Sequence, residues 1–492
     1  MKKARIAHSA SLAALFCASV ISTAEAKEPH QAETAPSPTS GTQAHVLLLD
    51  RVLEAAQRHF PSVLEALAQR EAAQGRGLAA QGAFDAVIGA DSQIRTSGFY
   101  DGRAVATKLE KPFAPFGASV YTSYRLSRGD FPIYEDVLFT NRAGEVKVGV
   151  ALSLLRDRDI DERRFRRFEA GLAIETADFD VALARVKVQH QAMRAYFDWV
   201  LAGHRLRIYR DLLQVANARQ AGLSSQVERG ARAKLILIEN QQNILRRQML
   251  VEQSDQAQQI ASARLSLFLR DEAGAPALPP AEALPTLTDL PSVDIAEAIA
   301  QSQDAAVLRP ELGALRLDIA RAQAKARLAR NDLQPRLDLR YELGRDLGRT
   351  GLGGLSREGT ESVVGIKLSQ PLGQRGAQGR LTAAESERRA LEHSLQRTTE
   401  FIAVEIESLR VEAAGAERLA LLAGQEVNQA RQIQAAERRL FETGASDFFR
   451  LNQREELTAD AEVRRLSAEL RKQTALADLY AATVNFARLG LS

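Results

Sequence analysis

The sequence predicts a mainly α-helical protein with a few β-strands, built as two tandem copies of one unit: helix, strand, strand, long helical hairpin. Three observations predict it. The segment VVGIKLSQ alternates Val364, Ile366 and Leu368 with Gly365, Lys367 and Ser369, breaks at Pro371, and then runs to Phe441 without another proline. The apolar period changes there from 2 to 3.5, so a strand feeds a helix far longer than a globular one. An earlier segment, 146–230, does the same. Finally, the landmarks match: Gly149 to Gly230 is 81 residues and Gly365 to Gly444 is 79, with Pro61 and Pro310 heading the two copies.

Residues 1–26 read as a secretory signal, with Lys2, Lys3 and Arg5, a short apolar run from Leu12 to Ile21, and the small-x-small site Ala24-Glu25-Ala26. That apolar run is too short to span a bilayer. The only cysteine, Cys17, lies inside it, so a chain starting near Lys27 would have no thiol and no disulfide. Removing the leader takes away three basic residues and one acidic one, and the net charge falls from +3 to +1. That balance argues against a nucleic-acid partner. No later stretch is apolar enough for a transmembrane helix, which leaves a periplasmic protein, a secreted one, or a β-barrel.

Residues 27–44 form a polar, Pro/Ser/Thr-rich flexible leader. The first copy, 45–270, opens with a helical pattern that Pro61 interrupts and that then continues to about Gln81. A strand is expected over about 85–96, with Ile88, Ala90 and Ile94 on one side and Gly89, Asp91 and Gln93 on the other. Residues 97–144 hold nine of the 27 aromatics. They suit either an interfacial aromatic girdle or a small β-subdomain with its own core, and ASVYTSYRL within them suits a further strand. EVKVGVALSL, about 145–154, is the clearest strand, and its length is that of one membrane crossing. Helix is expected over about 157–229 and 231–269.

A Pro/Ala linker, 271–291, precedes the second copy, 292–492. Its strands are expected at about 336–343 and 363–370 and its long helices at about 373–442 and 446–487. In the first of these helices Ile402, Ile406, Leu409, Ala413, Ala416, Ala420, Ala423, Val427 and Ala430 step 4,3,4,3, a heptad seam that implies left-handed supercoiling. The helices keep their length between copies and the loops do not, which marks the loops as the surface-exposed end.

Four strands cannot close a barrel, and an open sheet edge cannot sit in lipid. The chain is therefore expected to oligomerise, and three copies would give twelve strands. The strands have an aliphatic face for lipid and a polar one, with Lys147, Asp338, Arg340, Glu342 and Lys367, for an aqueous lumen. The longer loop of the first copy has room for an extra hairpin, which would raise the strand count.

On these residues the chain resembles the TolC family of outer-membrane efflux proteins. The resemblance is carried by GIKLSQPL at 365–372, LQPRLDL at 333–339, the prolines of HFP (59–61) and LRP (308–310), and FETGASDFFRLNQ at 441–453. It covers nearly all of the chain after the leader. It implies a homotrimer with a twelve-stranded barrel in the outer-membrane lipid and a long α-helical barrel reaching through the periplasm. It further implies a periplasmic adaptor and an inner-membrane pump as partners, in a tripartite efflux or type I secretion system. The family often has an aspartate six residues after the break glycine, where Ile236 and Arg450 stand here. The tips instead offer Gly230, Arg232, Lys234, Gly444, Asp447 and Arg450, as gate residues, adaptor contacts or solvated charges.

No catalytic constellation is visible, and no cofactor is expected. The histidines show no i, i+3 or i, i+4 pair that would suit a metal. GRTGLGG at 348–354 lies between two strands, whereas a phosphate loop joins strand to helix. Arg128-Gly129-Asp130 has the letters of an adhesion tripeptide, which chance supplies often. The expected function is a passive export duct rather than an enzyme. The alternative is a periplasmic coiled-coil adaptor that does not conduct.

Overall fold

The computed structural model describes residues 46–291, 294–302, 309–351 and 358–491. The expected signal at 1–26, the polar segment 27–44 and part of the loop at 344–360 lie outside these residues.

Among the described residues two helices come first, α1 (Leu49–His59) and α2 (Pro61–Gln81), with Pro61 at the first turn of α2, where its missing N–H costs nothing. Four strands follow: β1 (Val87–Ile94), β2 (Arg103–Pro112), β3 (Ser119–Arg128) and β4 (Glu145–Ser153). Then come α3 (Glu162–Glu228) and α4 (Leu235–Ser266). After the linker, α5 (Ile295–Gln301) and α6 (Pro310–Asn331) lead into β5 (Arg336–Asp346) and β6 (Thr360–Ser369). The chain ends with α7 (Arg375–Glu442) and α8 (Phe448–Ala482). At 1.5 Å per residue the 67 residues of α3 and the 68 of α7 each extend about 100 Å.

The strand count corrects the sequence reading: among the described residues the sheet has six strands, in the order β1-β2-β3-β4-β5-β6, all antiparallel, where four were expected. The additional pair is β2–β3, inserted between β1 and β4. Its alternation is weak in sequence because Arg103, Thr107 and Lys111 share a face with Val105 and Leu109. β5 also runs on to Asp346, and β6 begins at Thr360, ahead of the expected limits.

The register sorts the side chains by face. Val148 faces Thr122 and Leu343, Val150 faces Val120 and Tyr341, and Ile366 faces Leu339, so one face is apolar across the sheet. Its members are largely exposed, among them Ile88, Leu109, Val148, Val364, Ile366 and Leu368. β1 and β6 each have a single neighbour, so the sheet ends in two open edges.

All four strand–helix junctions lie at one end of the sheet. After β6, Pro371 makes the break. After β4, where no proline stands, polar contacts hold the turn: Arg156 pairs with Asp332 at 2.8 Å, and Asn331 bonds the Asp157 carboxylate at 3.1 Å and its backbone N–H at 3.0 Å.

The main core lies midway along the long helices. Trp199, Tyr196, Phe197 and Val200 of α3 are fully buried against α1 and α8, through Val52, Leu53, Leu476 and Leu479. The short helices thus brace the long ones at mid-length. The α7 seam residues Ile402, Ile406, Ala413, Ala416 and Val427 are buried, and Leu409, Ala420, Ala423 and Ala430 are half-buried. A second stripe of α7, with Phe401, Val404, Val411, Leu419 and Leu422, is exposed.

Candidate functional site

Two regions collect the candidate residues, the polar face of the sheet and the far end of the helical hairpins.

On the sheet, strand pairing brings the five sequence-predicted residues to one face. Lys147 stands opposite Gly344, Gly149 opposite Glu342, and Ala151 opposite Arg340; Asp338 stands opposite both Ser153 and Lys367. Opposed residues of an antiparallel pair point to the same side. The inserted hairpin adds Lys108, Glu110, Tyr121 and Arg125, since Tyr121 stands opposite Glu110 and Gly149, and Arg125 opposite Glu145.

Several of these groups pair with one another in separate polar clusters. Glu145 receives Arg125 and, at 2.9 Å, Lys147. The Tyr121 hydroxyl donates to Glu342 and accepts from Arg340 Nε at 2.7 Å, and Arg340 pairs with Glu342. The Tyr121 ring lies between two cations, with Lys108 Nζ 4.9 Å and the Arg340 guanidinium 5.5 Å from its centroid. That ring crosses the bare backbone of Gly149, where any Cβ would overlap it. Ser153 donates to Asp338 at 3.1 Å.

At the far end the two hairpins turn by the same device. Gly230 has φ +73° and Gly444 φ +77°. After Gly230, Ala231 N–H bonds Gln226 O at 2.9 Å and Gly230 N–H bonds Val227 O at 3.0 Å. After Gly444, Ala445 N–H bonds Leu440 O at 2.8 Å and Gly444 N–H bonds Phe441 O at 3.2 Å. Both are Schellman caps, which satisfy the last carbonyls of the helix and need a left-handed residue. Asp447 then caps α8 by accepting from Arg450 N–H at 2.8 Å, a bond that also suits the positive end of the helix dipole.

The tip charges separate by environment. Arg450 is exposed and lies 3.7 Å from Asp447, and Lys234 is exposed at the start of α4. Arg232 is half-buried, its guanidinium 5.4 Å from the Phe441 ring, so it packs one tip on the other. Phe441, Phe448, Leu223 and Ile236 make a small apolar cluster behind it. Ile236, which stands where the family often has aspartate, is thus part of that packing.

A second charged group lies deeper and was not read from the sequence. The Glu455 carboxylate of α8 sits between Arg219 of α3 and Arg247 of α4; Glu455 and Arg247 are each 1% exposed. Arg247 also donates to Leu212 O at 2.9 Å, and Arg219 to Asn452 Oδ1 at 2.8 Å. Burial pulls the Arg247 guanidinium below its ordinary value, while Glu455 beside it acts the other way. This network ties α8 to both helices of the first hairpin. Its signal in the sequence is Asn240, Arg247, Ser254 and Ala261, which repeat every seven residues at one buried position of α4. Polar residues at a seam position fix register at a cost in stability.

Among the described residues no group of three or more His, Cys, Asp or Glu could hold a metal, and no helix is long and apolar enough to cross a membrane.

Residues 302–484 match the family model described as "Outer membrane efflux protein". A comparison with curated proteins found no match. Among solved structures, the outer membrane protein VceC from Vibrio cholerae is similar over 88% of this chain and 95% of that one, at 16% identity and a TM-score of 0.61. The MtrE outer membrane channel of Neisseria gonorrhoeae, in its open state, is similar over 92% and 95%, at 16% identity and a TM-score of 0.58. The CmeC outer membrane channel of Campylobacter jejuni is similar over 90% and 89%, at 13% identity and a TM-score of 0.59. The chain therefore has the fold of the TolC-like outer-membrane channels, and its second half carries the domain of the outer membrane efflux proteins, the family its sequence resembles.

Proposed function

We propose that the protein is a passive export duct in the outer membrane, the channel component of a tripartite efflux or type I secretion system. The observation that carries this reading is the sheet: one face apolar and exposed, the other charged and networked, with both edges open. Unpaired strand edges are unstable in lipid, so several copies close the sheet into a barrel, β1 of one against β6 of the next. The exposed α7 stripe supplies the matching helical contact. The matched family and the fold favour three copies. In this reading Lys147, Asp338, Arg340, Glu342 and Lys367 line the water-filled lumen. Gly230, Arg232, Lys234, Gly444, Asp447 and Arg450 form the periplasmic tip that meets an adaptor and, through it, an inner-membrane pump. Cargo passes without covalent change.

The tip divides further. Arg232 is a packing residue, and Arg450 and Lys234 are free to face an entrance or a partner. A non-conducting adaptor is expected to have one helical hairpin, whereas this chain has two, with first arms of 67 and 68 residues.

The test is reconstitution of the detergent-purified, heat-resistant oligomer in planar bilayers. Stepwise conductance is expected, and Arg450→Glu should change its size or ion preference. An oligomer that inserts and never conducts would sink the duct reading. Unchanged conductance in Arg450→Glu would assign that residue to partner contact.

A further inference from the structure

The inserted hairpin β2–β3 is absent from a four-strand account of the barrel, yet its residues follow the logic of the other strands. We propose that this hairpin is a lipid-facing part of the membrane wall. Each copy then supplies six staves, and three copies close a barrel of eighteen strands rather than twelve. This rests on the channel reading above and goes beyond it in strand number, lumen width and lipid contact.

Four observations carry it. First, β2 and β3 join β1 to β4 by continuous pairing, so they cannot leave the sheet without stranding β1. Second, the apolar band runs through them. Val105 faces Leu126, Leu109 faces Ile88 and Thr122, and Val120 faces Val150 of β4. Val105, Leu109, Val120 and Tyr124 are exposed, as the lipid face of a stave must be. Third, each strand has ten residues, enough to cross the hydrocarbon core, and exposed aromatics stand at both ends: Phe113 and Phe116 at the turn, Phe99 and Tyr134 beyond the other end. Fourth, Tyr121 fixes the insert in the wall, reaching from β3 over Gly149 of β4 to Glu342 and Arg340 of β5.

Six is an even number, so β1 and β6 run in opposite directions and neighbouring copies join in antiparallel order. The apolar band then continues from Val364 and Ile366 to Ile88 and Ala90 of the next copy. Barrel diameter grows roughly linearly with strand number, so the lumen would be about half as wide again as with twelve strands. Barrels of about that size hold an open aqueous channel. The duct would then be narrowest in its helical part rather than at the outer membrane.

Spin labels at single cysteines, in a background lacking Cys17, test this in the full-length oligomer in phosphatidylethanolamine–phosphatidylglycerol vesicles. Val148→Cys and Ile366→Cys report the wall common to both accounts. Val105→Cys and Leu126→Cys report the insert, with Val120→Cys as a second choice should one of them fail to assemble. Lys108→Cys and Ser123→Cys report its polar face. Labels at 105 and 126 are expected to collide several-fold more with dissolved oxygen than with a water-soluble nickel complex, as at 148 and 366, with the order reversed at 108 and 123. Water-like labels at 105 and 126 beside lipid-like ones at 148 and 366 would overturn the six-stave wall and leave the channel standing. Water-like labels at 148 and 366 would overturn both.

Discussion

Two pairs of glycines, one of each pair in either half of the chain, differ in how they are used. Gly230 and Gly444 are used alike: both have a left-handed backbone, both cap a long helix by the same two hydrogen bonds, and both leave open space around a would-be Cβ. Gly149 and Gly365 are used differently. Gly149 is a bed for the Tyr121 ring, whereas a Cβ at Gly365 would meet only Arg340 Cβ, at 3.9 Å. The hairpin ends are set by local backbone chemistry, which recurs wherever the local sequence recurs. The strand positions are set by their neighbours, and the inserted hairpin gave the first copy a neighbour that the second lacks.

The largest effect should come from the contact that joins α8 to α3 and α4. Glu455→Ala leaves Arg247 buried and without its counter-charge, which should cost about 3–5 kcal/mol. Denaturant unfolding of the purified protein measures it, and an effect below about 1 kcal/mol would mean that α8 is not fastened to α3 and α4 there. Next comes the strand pair. Gly149→Ala should destabilise by about 1–3 kcal/mol through overlap with Tyr121, while Gly365→Ala should change stability by less than about 0.5 kcal/mol. Thermal dissociation of the oligomer compares the two, and equal effects would erase the difference argued above. The tips should respond alike: Gly230→Ala and Gly444→Ala each force a Cβ into the left-handed region, at about 1 kcal/mol apiece. Hydrogen exchange at Ala231 and Ala445 should quicken to a similar degree in the two variants.

The smallest effect lies in the first copy alone. His204 Nε2–H donates to Pro285 O at 2.8 Å, and Leu284 packs on Gly203, so this turn of α3 holds the linker. Burial pulls the His204 imidazole below its ordinary value of 6.5. The unfolded chain therefore takes up a proton at a pH where the folded one does not. Stability is full above about pH 6.5 and declines as the pH falls from there through the lower folded value. His204→Gln should flatten that part of the profile of melting temperature against pH.

Much of this was legible in the sequence. Val146, Val148, Val150, Leu152 and Leu154 announce β4 because both its faces are chemically distinct. Gly230 and Gly444 stand out because long helices contain few such breaks. The α7 seam was legible because alanine and isoleucine repeat in strict heptad steps. Less visible were the features that depend on partners distant in sequence. β2 alternates poorly because its apolar face ends in Arg103 and Lys111. The heptad spacing of Asn240, Arg247, Ser254 and Ala261 marks one buried position of α4, but the partner Glu455 becomes visible only in the packing of α8 on α3 and α4. Ile236 was notable as a departure from the family pattern, and its burial beside Phe448 gives it a packing role.

In an export duct of this kind the charged face of the sheet lines conducting water. Covalent modification during current recording tests it most directly, with Lys147→Cys and Val148→Cys compared in the same bilayers and a water-soluble, charged thiol reagent added. The conductance step is expected to shift for Lys147→Cys and to stay constant for Val148→Cys, its neighbour on the other face. A shift at 148 with none at 147 would contradict it.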